Sequence, residues 1–112
     1  MPEPWITFID ELKDEAGILA KNELKNLVSD SLKDAEEFTR NQAQKVQRYL
    51  NQLALGKITK KQFESYMVDI AELTRMNALK MEVAAKARAQ RLADGIQNII
   101  LDRLLKLIVY LD

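Results

Sequence analysis

The sequence predicts an all-α protein: a long antiparallel helical hairpin that turns once near its middle. Three observations predict it. Strong helix formers (Ala, Leu, Lys, Glu, Gln and Arg) dominate the chain. Both prolines, Pro2 and Pro4, lie at the extreme N-terminus, where a helix tolerates them. No stretch alternates with period two over strand length, and no Asn-Gly or Asp-Gly hairpin turn occurs. With 112 residues the chain is one domain at most. The predicted elements are a helix over about 4–55, a turn at 56–59 and a helix over about 60–110.

The first helix carries an eleven-residue repeat. Trp5, Ala16, Leu27, Phe38 and Tyr49 are spaced by eleven, and Ile6, Gly17, Val28, Thr39 and Leu50 flank them on the same face. Eleven residues in three turns is about 3.67 per turn, so such a stripe runs nearly straight along a helix. Ser29, Asp30 or Ser31 could cap a new helix, which allows a bend or break near 29–31. The eleven-residue phase crosses that point unchanged and favours one continuous helix.

The turn has its own chemistry. Gly56 follows the apolar series Val46, Tyr49, Leu50 and Leu53. A glycine just past a helix end takes the left-handed conformation without strain. Thr59, with Gln62 three residues on, makes a capping box for the next helix, and Ile58 with Phe63 fits a hydrophobic staple. So short a connection makes the flanking helices antiparallel neighbours.

The second helix repeats more regularly. Steps of four, three and four from Phe63 pass through Met67, Ile70, Thr74, Ala78, Met81, Ala85, Ala89, Leu92, Ile96, Ile100, Arg103, Leu107 and Leu111. Only Arg103 in that series is charged. Gly95 sits in the pattern without disturbing its phase and reads as a close-packing glycine. At about 1.5 Å rise per residue, each arm would be roughly 75 Å long.

Charge supports the antiparallel arrangement. In a hairpin centred on the Lys57–Ile58 bond, residues equidistant from that bond face one another. Asp10, Glu11, Asp14 and Glu15 then face Arg103 and Lys106. Asp30, Asp34, Glu36 and Glu37 face Lys80 and Lys86, and Arg40, Lys45 and Arg48 face Glu64, Asp69 and Glu72. Residues 1–56 carry 7 basic and 10 acidic side chains, the remainder 10 and 7. Such pairs bias register more than they stabilise.

Composition narrows the chemistry. The chain has no histidine and no cysteine, which removes the commonest general base, thiolate chemistry and the usual transition-metal ligands. Its many carboxylates fit a solvated helix face. No glycine-rich phosphate loop is present. The expectation is no enzyme, no cofactor and no metal. Net charge is zero, with 17 basic and 17 acidic residues. The basic patch of Lys86, Arg88 and Arg91 has no interleaved aromatics, so no nucleic-acid partner is expected. No basic, apolar leader opens the chain, and "LLKLIVYL" is too short to span a bilayer, which points to the cytoplasm.

The apolar residues overflow at the open end of the hairpin. Ile99, Leu101, Leu104, Leu105, Ile108 and Val109 lie off the single stripe, and Trp5, Phe8, Ile9 and Leu12 come from the other arm. A helix apolar all round is normally buried all round, and one antiparallel neighbour cannot do that. Self-association through these residues is therefore expected: a homodimer forming a four-helix, coiled-coil-like arrangement, with scaffold or adaptor work as its function. Another helical protein is a further candidate partner. The alternative is a peripheral membrane protein lying flat on a lipid surface through the same stripe; it ranks second, because the polar faces are not lysine-rich and the stripe is thin with alanine.

Overall fold

The computed structural model describes residues 3–11 and 15–108. All regular structure among them is helical: α1 (Pro4–Asp10), α2 (Glu15–Leu32), α3 (Glu37–Ala54), α4 (Lys60–Ala78) and α5 (Val83–Gly95). A π-helical stretch, Ile96–Leu104, and a last turn, α6 (Leu105–Leu107), continue α5 into one long fourth helix. The molecule measures 41 × 24 × 23 Å, too short for arms of roughly 75 Å. The two expected arms are each broken and folded back, at 33–36 and at 79–82, and the helix expected over about 4–55 also ends once before that, after Asp10. α2, α3, α4 and the fourth helix pack in a ring, each on the next and α2 on the fourth, while α1 lies across α2 and α3. No described helix is long and apolar enough to cross a membrane.

The central turn forms as its residues dictate. Gly56 has φ of 72°. Its N–H donates to Leu53 O at 3.1 Å and that of Lys57 to Gln52 O at 2.8 Å, the paired bonds that close a helix on a left-handed residue. The Thr59 hydroxyl accepts from the Gln62 amide at 3.0 Å, and the Thr59 amide donates to Gln62 Oε1 at 2.9 Å. Phe63 is fully buried, and Ile58 packs against the same core.

Register near this turn follows the hairpin rule. Tyr49 and Tyr66, equidistant from the Lys57–Ile58 bond, stack with ring centroids 4.5 Å apart. One layer further out, Gln42 Nε2 donates to Thr74 Oγ1 at 3.2 Å, and Thr74 Oγ1 donates to Ile70 O at 2.7 Å. Both side chains are buried, so a slip between α3 and α4 would leave polar atoms unpaired, at about 1–3 kcal/mol each.

Beyond the breaks the hairpin pairing does not hold. Arg103 pairs with Glu23, not with Asp10 or its neighbours; Asp10 pairs with Lys21. Asp34 and Asp30 meet the fourth helix through Arg88 (2.8 Å) and Arg91 (3.2 Å), rather than through Lys80 and Lys86. None of Arg40, Lys45 and Arg48 forms an ion pair with Glu64, Asp69 or Glu72. Asp14 lies outside the described residues. The cause is the folding back: α2 and the fourth helix form a second antiparallel pair with its own register.

The first break lies later than the expected 29–31. Ser29, Asp30 and Ser31 remain inside α2. Asp34 makes the break: its Oδ1 accepts the Glu36 amide at 2.9 Å, satisfying a donor at the start of α3. Arg40 reaches back to Asp34 O and Ala35 O. The second break, Leu79–Glu82, has no comparable clasp. Two short-range bonds, Lys80 N–H to Asn77 O and Met81 N–H to Ala78 O, tighten the end of α4, and extended Glu82 opens α5.

Most of the expected stripe is core. Phe63, Met67, Ile70, Thr74, Ala78, Ala85, Ala89, Leu92, Ile96 and Ile100 are all buried. Two departures occur. Ala16 is exposed while its neighbour Gly17 is buried. After Ile100 the stripe moves from Arg103 and Leu107, both half-buried, to Leu104, Leu105 and Ile108. The π stretch takes more residues per turn, and that delays the phase. Gly95, at its entrance, is the close-packing glycine expected: a Cβ there would lie 2.1 Å from Leu27 Cδ2. Leu111, the last member of the stripe, lies outside the described residues, as does the last part of the helix expected to reach 110.

Candidate functional site

Every described residue expected to mediate self-association packs inside the single chain. Trp5, Ile9, Ile99, Leu104, Leu105 and Ile108 are buried in the core, and Phe8 and Leu101 are partly buried against it. Leu12 and Val109 lie outside the described residues. The premise that one neighbour cannot cover these side chains was sound. Here the chain supplies the further neighbours itself, by folding back twice, so a partner is not needed to cover them. α1 is pinned there by polar contacts: the Trp5 amide donates to Asn51 Oδ1 at 3.2 Å, and Asn51 Nδ2 donates to Glu3 Oε2 at 2.8 Å.

Exposed apolar side chains lie elsewhere: Ile18, Leu19, Leu55 and Val68 singly or in pairs, and a larger group at the end of α4. Leu73 and Met76 lie on the outer face of α4, Leu79 follows at the same spacing as its C-cap, and Val83 opens α5 just beyond the break. Their exposures are 42, 64, 71 and 85%. Core periodicity hid this row, because the stripe through Thr74 and Ala78 already accounts for the inward face. Four apolar residues outside that stripe, at 73, 76, 79 and 83, were the available signal. Asp69, Glu72 and Lys80 surround the row, and none of the three joins an ion pair within the chain.

One carboxylate stands apart from the solvated ones. Among the described residues Asp34 is the only buried carboxylate. Burial opposes its charge. The hydrogen bond from Arg88, the Glu36 amide and the positive charges of Arg88 and Arg40 outweigh that and hold Asp34 below its ordinary 3.8. It is a structural anion, ionised at neutral pH and fully occupied by its partners. A groove of about 790 Å3 between α2 and the fourth helix has Leu27 and Gly95 among its lining residues. Its charged residues Glu23 and Arg103 neutralise each other, Arg91 is taken by Asp30 and Asp94 by Arg75. Among the described residues no group of three or more Asp or Glu is placed to hold a metal ion.

Comparison of the chain with known protein families, with curated proteins and with solved structures finds no match.

Proposed function

We propose that this chain is a non-enzymatic interaction module that self-associates and serves as a scaffold or adaptor. The observation that carries the proposal is the exposed row Leu73, Met76, Leu79 and Val83. Scattered surface apolar residues need no explanation, but Leu73, Met76 and Leu79 recur every three residues at the end of α4, with Val83 just past the break, and such a grouping marks a contact surface. A second copy is the occupant this reading favours, since closed two-fold dimers are the commonest soluble assembly. The surface differs from the one expected at the chain ends. The membrane-surface alternative ranks second, because it needs Trp5 and Ile9, which face the core.

Sedimentation equilibrium tests the proposal. The wild-type chain is expected to dimerise at micromolar concentration, and Met76→Glu with Leu79→Glu to abolish the dimer while leaving helicity intact. A wild-type monomer across the accessible concentration range defeats the proposal.

A further inference from the structure

The two breaks share three properties. They are equidistant from the Lys57–Ile58 bond, with 33–36 on one arm and 79–82 on the other. Neither contains glycine or proline; their sequences are Lys-Asp-Ala-Glu and Leu-Lys-Met-Glu. And the core phase crosses both. Val28 and Thr39, eleven apart, are buried on either side of the first. Thr74 and Ala78 before the second, and Ala85 and Ala89 after it, keep the four-and-three stepping with half-buried Met81 between them. Helices joined by an ordinary loop have no reason to hold a common phase through it. These arms read as continuous helices that have been folded.

From this we infer a second folded form, in which both breaks straighten and two copies exchange their outer halves. The inner half is α3–α4, held by the Tyr49–Tyr66 stack and the Gln42–Thr74 bond. The outer half is α2 with the fourth helix, held together by Arg91–Asp30 and Arg103–Glu23. In the monomer each outer half covers its own inner half. In the exchanged dimer it covers the inner half of the partner, and the dimer becomes a four-helix bundle of about twice the length. Domain exchange of this kind reuses contacts already present, so it costs little beyond opening.

The exposed row adjoins this hinge. Leu79 and Val83, the most exposed of its members, flank the second break. In the monomer they lie at one end of the bundle. In the exchanged form they lie near the midpoint of a continuous helix, on the side away from the stripe through Ala78, Met81 and Ala85. This inference rests on self-association as the function and specifies its geometry.

One substitution separates the forms. Val83 is the first residue of α5, and Glu82 before it is extended, with ψ of 158°. Proline suits a first helical position, and the residue before it favours extended backbone. Val83→Pro is therefore compatible with the folded-back monomer. In a continuous helix through 79–83 the same proline removes a hydrogen bond and clashes with the preceding turn. Sedimentation equilibrium should show the dimer dissociation constant raised about a hundredfold or more in Val83→Pro, with Val83→Ala close to wild type. Circular dichroism confirms that each variant folds.

A second readout does not depend on that variant. The chain has no cysteine, so Arg75→Cys with Asp94→Cys places one reactive pair across the α4–α5 contact, where the native side chains approach to 3.4 Å. A short bismaleimide should link the two cysteines between chains in the exchanged dimer, giving covalent dimers on a denaturing gel. A dimer that carries only links within one chain and tolerates Val83→Pro overturns the exchange and leaves self-association standing. A wild-type chain that stays monomeric overturns both.

Discussion

The turn at 55–59 and the break at 79–82 do the same job by opposite means. Each reverses the chain between two antiparallel helices. The first is written in its own residues: Gly56 in the left-handed region, paired closing bonds, and a reciprocal Thr59–Gln62 cap. The second has neither glycine nor side-chain cap. What holds it lies far away in the sequence, in the apolar residues of the fourth helix and α1. Burying each of Trp5, Ile9, Leu104, Leu105 and Ile108 contributes about 1.5–3 kcal/mol. Interrupting a helix forfeits a few backbone bonds, each with a net value of about 0.5–1.5 kcal/mol. Burial wins, and the helix breaks where the geometry of burial requires, not where a local signal stands. The break at 33–36 is intermediate: it answers to burial and has one local clasp, Asp34.

The largest test of this contrast removes the remote cause. Leu104→Asp with Ile108→Asp puts two carboxylates into the core, at several kcal/mol. Loss of the cooperative thermal transition is expected, rather than separation of a folded dimer into folded monomers. A well-folded double variant would mean that the fourth helix does not hold the break.

Next is the intermediate break. Asp34→Asn keeps the shape but loses the charge facing Arg88, with an expected cost of about 1–3 kcal/mol at pH 7 by denaturant unfolding. The sign with pH follows from the lowered pKa. The native state holds the ionised form, so the stabilisation is complete above the ordinary 3.8 and is lost as pH falls through the lower folded value. The gap between wild type and Asp34→Asn should therefore narrow as pH falls below the ordinary 3.8. A gap that stays constant would assign the effect to shape alone.

The local turn should yield about 1–2 kcal/mol. Gly56→Val forces a β-branched residue to φ of 72°. Nothing lies within 4 Å of a Cβ built there, so the whole cost is conformational. An unchanged unfolding midpoint would show that this turn, too, is held from elsewhere.

The smallest effect belongs at the second break. Leu79→Ala should change monomer stability by less than about 0.5 kcal/mol, as for other exposed sites. A larger loss would reveal a local determinant at 79–82.

The same contrast explains what was legible in the sequence. The all-α class, the central turn and its cap, and the stripe from Phe63 to Ile100 follow from local chemistry and periodicity, and they stand. Gly95 as a close-packing residue could also be read, because a break there would have shifted the phase. The folding back could not. The eleven-residue phase runs through both breaks, so periodicity reported continuity where the chain reverses. The surplus apolar residues at the ends were correctly identified as needing more than one neighbour. A second chain and a folded first chain meet that need equally well, and composition does not distinguish them. The row at 73, 76, 79 and 83 lies outside the core stripe, so core periodicity does not reveal it.

The ring of helices has a consequence in time. Three of its four seams join consecutive helices through short connections. The fourth, between α2 and the fourth helix, brings together residues as far apart as Glu23 and Arg103, 80 positions in sequence. Closing so long a loop in one step is entropically costly, but the cost falls if the intervening chain has already collapsed. The expected order runs from the Gly56 turn outward, with the two chain ends joining last. Amide exchange under native conditions should then be slowest in α3 and α4 and fastest at the start of α2, so the ends of the chain would be the first to open and the last to close.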